Sequence, residues 1–319
     1  MQHNIVVVHE LYPELLATLQ AEHHVTHFQR LGNDADRAAF RDAMAEADAF
    51  IGSNVKFDKA LLDASPRLKV IASVSVGVDA YPLEEIQSRN IVLTNTPEVL
   101  TDATADTGFL LLMMAARRAG EMERKVRGGQ WQASLGRTDF GVDITGKTLG
   151  IVGMGRIGQA VAQRGHHGFN MPVMFYNRSE RPELEEAFDA RQVSLETLFS
   201  ESDFIVVTVA LSEATRGLVD RNLLAATRDK AILINISRGQ VVVEEDLTAC
   251  LQDGTLYYAG LDVYEREPLA PDSALLSLDN AVLLPHIGSS TFETRNAMCD
   301  LAADNLNRVL KGESALTPV

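Results

Sequence analysis

Apolar residues along the chain gather in short continuous runs, and the stretches between them carry helical periodicity. "IVVVH" (5–9) is followed by "PELLATLQAEH", then "VTHFQ", "DADRAAFRDAMAEA" and "AFIGS" (49–53). "FDKALLDAS" leads to "LKVIASVSVG" (68–77), and "PLEEIQSRN" leads to "IVLTNT" (91–96). Continuous apolar runs suit strands covered on both faces, so the pattern predicts a parallel sheet flanked by helices. From Thr101 the rhythm changes. "TDATADTGFLLLMMAARRAGEMERKV" reads as one long helix, with Thr101 as its N-cap and Gly128–Gly129 as its stop. A second alternating set follows in "TLGIVGM", "PVMFYN", "DFIVVTVA", "AILINIS", "YAGLDV" and "AVLLPH". The segment "TFETRNAMCDLAADNLNRVLKG" (291–312) is again helical. The expectation is two α/β units with a boundary near residues 97–101, and no repeat of fixed period.

Composition narrows what such units do. A length of 319 residues, 46% of them hydrophobic, suits two domains with sizeable cores. Lys and Arg number 29 against 44 Asp and Glu, a net charge of −15. That balance disfavours general binding to nucleic acid or anionic membrane, and leaves room for a local basic site. The first residues lack a basic leader region, and "GFLLLMMAA" is too short to span a bilayer and is followed by Arg117 and Arg118. Cys250 and Cys299 show no metal or redox spacing, which predicts a reduced, cytoplasmic protein.

The first chemical signal is "TLGIVGMGRIGQAVAQRG", where Gly153, Gly155 and Gly158 follow a strand and open a helix. In a dinucleotide turn the first glycine allows the bend, the second admits a pyrophosphate, and the third lets helix pack on strand. Met154, Arg156 and Ile157 complete the turn, whose backbone N–H groups would face the anion. Asn177 lies 19 residues after Gly158, about where a ribose-binding acid is expected in an NAD site. The strand ends there in Asn177, Arg178 and Ser179, with no carboxylate at its tip. A carboxylate would repel a 2′-phosphate, whereas an arginine offers it a planar fork of donors. The sequence therefore favours NADPH, with NADH possible.

Three further residues sit just past apolar runs, where open α/β sheets bind ligands. They are Arg238 in "NISRGQ", Glu267 in "AGLDVYEREP" and His286 in "PHIGSS". Each alone is an ordinary loop residue. Together they supply what reduction of a carbonyl beside a carboxylate requires. The arginine binds the carboxylate and polarises the keto oxygen. The histidine donates the proton, and the glutamate orients its ring and favours the protonated form.

On these motifs the chain resembles the D-2-hydroxyacid dehydrogenase family along nearly its whole length, the "SVGVD" segment (75–79) and the 29-residue step from Arg238 to Glu267 included. "LTDATADT", "GQWQASLG" and "HHGFNMPV" resemble its bacterial 2-ketoaldonate/glyoxylate/hydroxypyruvate reductase branch in particular. The resemblance implies two doubly wound parallel-sheet domains. A flavodoxin-like substrate domain would comprise residues 1–99 and 289–319, with a Rossmann coenzyme domain (100–288) inserted in it. It implies that the N–H groups of Val76 and Gly77 hold the substrate carboxylate. Asp262 and the Ile236 carbonyl would orient the nicotinamide amide, and Thr104 and Gly288 would border the cofactor. It implies a homodimer formed through the coenzyme domain, and reduction of small 2-keto acids such as glyoxylate, hydroxypyruvate or 2-ketogluconate. Trp131 is then either an interface anchor or a residue reaching the partner's substrate pocket. Gln240 stands where proline is common in the family, away from the chemistry.

Other features read as structure. His23 and His27, at i and i+4, and His24, His166 and His167 lack a Glu or Cys set for a metal, and read as solvated helix faces. Met113 and Met114 read as core or dimer contacts, and the acidic stretch 179–190 as a solvated helix. An NAD(H)-sensing corepressor-like binding protein on the same fold is the alternative from another class. A formate dehydrogenase fits poorly, since Pro285 stands before His286 where that enzyme carries glutamine.

Overall fold

The continuous apolar runs become strands buried on both faces, as they must where helices cover a parallel sheet. The chain divides into two compact units, Met1–Leu100 with Ser290–Val319, and Thr101–Ser289. The computed structural model describes residues 2–319.

In the first unit the elements run β1 (Asn4–Val8), α1 (Pro13–Glu22), β2 (His24–Phe28), α2 (Asp34–Ala45), β3 (Ala49–Gly52), α3 (Lys59–Asp63), β4 (Val70–Ser73), α4 (Leu83–Ser88) and β5 (Val92–Thr94). All five strands are parallel in the order β2-β1-β3-β4-β5. Local chemistry starts the helices: Pro13 opens α1, and the Asn33 and Asp58 side chains accept from the backbone N–H of Asp36 and Leu61. The core is aromatic, with Phe50 edge-on to Phe57 at 5.0 Å and Phe40 behind them. A Cβ at Gly52 would lie 2.5 Å from the Val8 carbonyl oxygen, so the close approach of β1 and β3 requires glycine there.

The second unit holds α5 (Thr101–Ala116), α6 (Ala119–Arg127), β6 (Leu149–Val152), α7 (Arg156–Gln163), β7 (Val173–Tyr176), α8 (Pro182–Phe188), β8 (Arg191–Gln192), α9 (Leu195–Glu201), β9 (Phe204–Val207), α10 (Arg221–Ala225), β10 (Ile232–Asn235), α11 (Glu244–Asp253), β11 (Tyr258–Leu261) and β12 (Ala281–Leu283). Its seven parallel strands are ordered β12-β11-β10-β9-β6-β7-β8, with the order reversing between β6 and β9. The chain then returns to the first unit as α12 (Phe292–Leu310), which packs on β3 and β4.

Two expectations are corrected. The long helix from Thr101 is two helices, because Arg118 takes a left-handed backbone (φ 53°) that ends α5 and turns the chain into α6. Its guanidinium fixes that break by pairing with Glu121 at 2.6 Å and donating to the Thr138 carbonyl. His23 and His27 share no helix face: His23 caps the end of α1, and His27 lies in β2. Their Nε2 atoms bond Asn307 Oδ1 and the His9 carbonyl, at 3.1 and 2.9 Å.

Candidate active site

The glycine turn sits at the switch point of the seven-stranded sheet, where β6 ends and α7 begins. Gly153 has φ 97°, and a Cβ there would press to 2.5 Å on Val209. A Cβ at Gly158 would lie 2.4 Å from the Gly153 carbonyl oxygen, so helix and turn touch through bare backbone. Gly155 is different: a Cβ there meets nothing within 4 Å, and the space beside the helix start is open. The first turn of α7 carries no acidic residue, so the positive helix end at Arg156, Ile157 and Gly158 is uncancelled. An open cradle of N–H groups at a positive helix end fits a pyrophosphate.

The tip of β7 is tied to this turn. Met154 N–H donates to Asn177 Oδ1 at 3.2 Å, which leaves the Asn177 amide NH2 as a donor. Gln192 Nε2 bonds the carbonyls of Asn177 (3.2 Å) and Ser179 (3.0 Å), fixing the bend that carries Arg178. Arg178 and Ser179 are exposed. Among the described residues Arg178 has no ion pair or side-chain hydrogen bond.

The three polar residues at strand ends converge. His286 Nδ1 lies 2.6 Å from Glu267 Oε2, and Tyr264 N–H donates to Glu267 Oε1 at 3.1 Å. Burial pushes the Glu267 carboxyl up. The His286 hydrogen bond and charge, the Tyr264 N–H and the Arg238 charge outweigh it and hold the group below the usual carboxylate range. With Nδ1 turned to the carboxylate, Nε2 of the half-exposed ring is the atom left for a ligand. Arg238 follows β10 in extended backbone, and its Nη1 donates to the Ser237 carbonyl at 2.9 Å. The next residue, Gly239, presses so closely on the Tyr264 backbone that a Cβ would lie 1.8 Å from its carbonyl carbon. That contact brings the Arg238 turn against the segment that carries Glu267.

His286 itself has φ 54°, a left-handed conformation that a side chain rarely adopts. Asp262 holds it there, accepting from Ile287 N–H at 2.7 Å and Gly288 N–H at 2.8 Å. Burial pushes the Asp262 carboxyl above its usual range, against the pull of these two donors and of the His286 charge. Thr104 borders Gly288, where an added Cβ would meet its Cγ2 at 3.4 Å. Ile236 is buried, its side chain filling the space beside Gly108 of α5.

The structure thus gathers Arg238, Glu267 and His286, and places Asp262, Thr104 and Gly288 beside them. Val76 and Gly77 follow β4 in the other unit, where Asn95 Nδ2 donates to the Val76 carbonyl at 3.0 Å. Trp131 lies in the irregular stretch after α6, mostly exposed. Several supporting residues escape a sequence reading. Asn235 knots the Arg238 turn by accepting from Ser237 N–H at 3.1 Å and donating to the Arg238 carbonyl at 3.0 Å. The spacing Asn-x-Ser is an available signal for that turn. Thr208 donates to the Gly153 carbonyl at 2.5 Å, and Tyr264 links Glu267 to the Leu284 carbonyl. Nothing in the local sequence marks the Thr208–Gly153 and Tyr264–Leu284 bonds, because those partners lie 55 and 20 residues apart.

Comparison with known proteins places these features. Residues 109–288 match the family model for D-isomer specific 2-hydroxyacid dehydrogenase, NAD binding domain. Glyoxylate/hydroxypyruvate reductase B of Klebsiella pneumoniae is 44% identical over 312 residues, covering 98% of this chain and 96% of that protein. An NADPH-dependent glyoxylate/hydroxypyruvate reductase from Sinorhizobium meliloti, solved with NADP and malonate, superposes with TM-score 0.88 at 34% identity, covering 100% of this chain and 97% of that one. A protein from Thermus thermophilus gives TM-score 0.90 at 38% identity, with 99% of each chain covered. The chain belongs to the D-isomer-specific 2-hydroxyacid dehydrogenase family and is an NAD(P)-dependent dehydrogenase.

Proposed function

We propose that the chain is an NADPH-preferring reductase that converts small 2-keto acids, among them glyoxylate, hydroxypyruvate and 2-ketogluconate, to D-2-hydroxy acids. The observation that carries this reading is the 2.6 Å pair of His286 and Glu267 beside Arg238, within the unit that bears the dinucleotide turn. Gly153, Met154, Gly155, Arg156, Ile157 and Gly158 would hold the pyrophosphate, and Asn177, Arg178 and Ser179 the 2′-phosphate. Thr104, Gly288, Asp262 and the Ile236 carbonyl line the nicotinamide end. When bound, the reduced nicotinamide supplies a hydride.

The protein's residues supply the rest. Arg238 draws the substrate carboxylate in and polarises the keto oxygen beside it. By resemblance to the family, the N–H groups of Val76 and Gly77 would bind a substrate carboxylate. His286 Nε2 would give the keto oxygen its proton. Glu267 keeps the ring oriented and stabilises its protonated form through Nδ1. The likeness to named glyoxylate/hydroxypyruvate reductases supports the substrate class. The free, buried cysteines Cys250 and Cys299 support a reducing, cytoplasmic setting.

The test is a panel of 2-keto acids assayed with NADPH and with NADH. Oxidation of NADPH by at least one small 2-keto acid, faster at equal concentration than that of NADH, is expected. Binding of either dinucleotide without turnover of any keto acid overturns the reading in favour of a sensor.

A further inference from the structure

The five-stranded sheet has a switch point of its own, between β1 and β3, where strand order reverses. His9 follows β1 and Ser53 follows β3, and their side chains meet there, His9 Nδ1 to Ser53 Oγ at 3.1 Å. Arg295 enters from the first turn of α12, with Nη2 donating to Ser290 Oγ at 3.2 Å. Its charge is felt at His9, so the three residues share one neighbourhood at the carboxyl edge of the sheet. His27 braces the group by bonding the His9 carbonyl at 2.9 Å.

Charge balance distinguishes this group. The partly buried Arg118 and Arg164 face carboxylates, Glu121 at 2.6 Å and Asp102 at 3.2 Å. Among the described residues Arg295 has no carboxylate within ion-pair distance. Burial weakens its hold on the proton, and only the Cys299 thiol acts in the opposite direction. His9 is pushed down to about 4, first by burial, then by the charges of Arg295 and His27, so its ring is neutral at physiological pH. A partly desolvated guanidinium without a counter-ion is unfavourable, and an arriving anion relieves that penalty.

We propose that Arg295, with His9 and Ser53, forms a subsite for a second carboxylate at the far end of a 2-keto acid. The inference rests on the reductase reading and narrows its substrate class. Val76 and Gly77, which take the near carboxylate in that reading, follow β4, next to β3 and two strands from β1. Strands lie about 5 Å apart, so the subsite is roughly 5–10 Å along the sheet edge from that loop. A five-carbon dicarboxylic keto acid spans about 5 Å between its carboxyl carbons and can engage both. Glyoxylate reaches only the first. The planar fork of Arg295 suits a carboxylate, and the uncharged His9 and Ser53 add hydrogen-bonding groups beside it.

Steady-state kinetics of the full chain with NADPH tests this, using glyoxylate and 2-oxoglutarate as substrates. 2-Oxoglutarate is also tested as a competitive inhibitor of glyoxylate reduction, so that binding without turnover registers. Arg295→Met is expected to raise the KM or Ki for 2-oxoglutarate by about tenfold more than it raises the KM for glyoxylate. Arg295→Lys, which keeps the charge and loses the fork, is expected to show a smaller selective loss, and its thermal melt checks that the unit still folds. Equal changes for both compounds, or no binding of 2-oxoglutarate at millimolar concentration to an enzyme that reduces glyoxylate, overturns the subsite and leaves the reductase standing. An enzyme that reduces no 2-keto acid loses both.

Discussion

At the scale of single residues the chemistry depends on where one proton sits. In the proposed reduction His286 supplies the proton, so kcat/KM is expected to fall as pH rises through the ionisation of that ring. Glu267 is held below the usual carboxylate range and is therefore charged wherever the enzyme works. Glu267→Gln keeps the shape and removes the carboxylate charge beside Nδ1, so the alkaline limb should move to lower pH. His286→Ala should lower the rate about 10²–10⁴-fold and erase the limb. A limb that stays in place in Glu267→Gln would break the pairing as a functional unit. Arg178 is the residue proposed to meet the 2′-phosphate of the cofactor. Each charge-assisted bond to phosphate contributes about 1.5–3 kcal/mol, so Arg178→Ala should cost roughly tenfold or more in kcat/KM with NADPH and little with NADH. Equal losses with both would refute the 2′-phosphate assignment. The strand-end positions of Arg238, Glu267 and His286 are legible in the sequence, because each follows an apolar run and such a position follows from pattern alone. The left-handed His286 and its Asp262 anchor are not legible, because a backbone angle imposed by a partner 24 or more residues away leaves no local mark.

At the scale of elements, strands are stapled where they begin as well as where they carry chemistry. Buried Asp48 precedes β3, accepts from Asn4 N–H of β1 at 3.0 Å, and pairs with Arg67 (3.2 Å) and Lys69 (3.5 Å) before β4. Burial pushes its carboxyl up, and the Asn4 N–H, Lys69 and Arg67 more than reverse this, so the net shift is downward. A lowered native value means stability that is present above the unfolded value of about 4 and is lost as pH falls through the folded one. Asp48→Asn should therefore lower unfolding stability by about 1–3 kcal/mol at pH 7, with the gap to wild type closing in urea titrations taken below about pH 4. A gap that is constant with pH would mean packing, not charge. The central strands of both sheets are readable as apolar runs, whereas β8, of only two residues at an edge, has too little pattern to register. The break between α5 and α6 hides for another reason. Helix periodicity continues across Arg117 and Arg118, and contacts with Glu121, Thr138 and Phe140 hold the left-handed Arg118.

At the scale of the whole molecule, the apolar 108–116 stretch is mostly core. Phe109, Leu111, Leu112, Ala115 and Ala116 are buried, and α5 lies against β10 and β11. Part of the exposed apolar surface lies around and beyond it: Leu110, Val126, Trp131, Leu135 and Phe140 are 40–62% exposed. Helix α6 buries no residue, and one short 3-10 helix, Arg137–Asp139, is the only helical segment between it and β6. Such a run of exposed aromatic and aliphatic groups is characteristic of an interface, and the commonest closed partner is a second copy about a two-fold axis. The expected state is a homodimer in which this segment is covered. Sedimentation should give twice the chain mass at micromolar concentration. Trp131 is the single tryptophan, so its fluorescence reports burial directly: emission should shift to the red as dilution separates the copies. Trp131→Ser combined with Phe140→Ser should favour the monomer. If Trp131 also reaches the neighbouring substrate site, KM for the keto acid should rise in parallel with dissociation while dinucleotide affinity holds. A fully active monomer with unchanged Trp131 emission across the dilution series would contradict both the dimer and the role given to this segment.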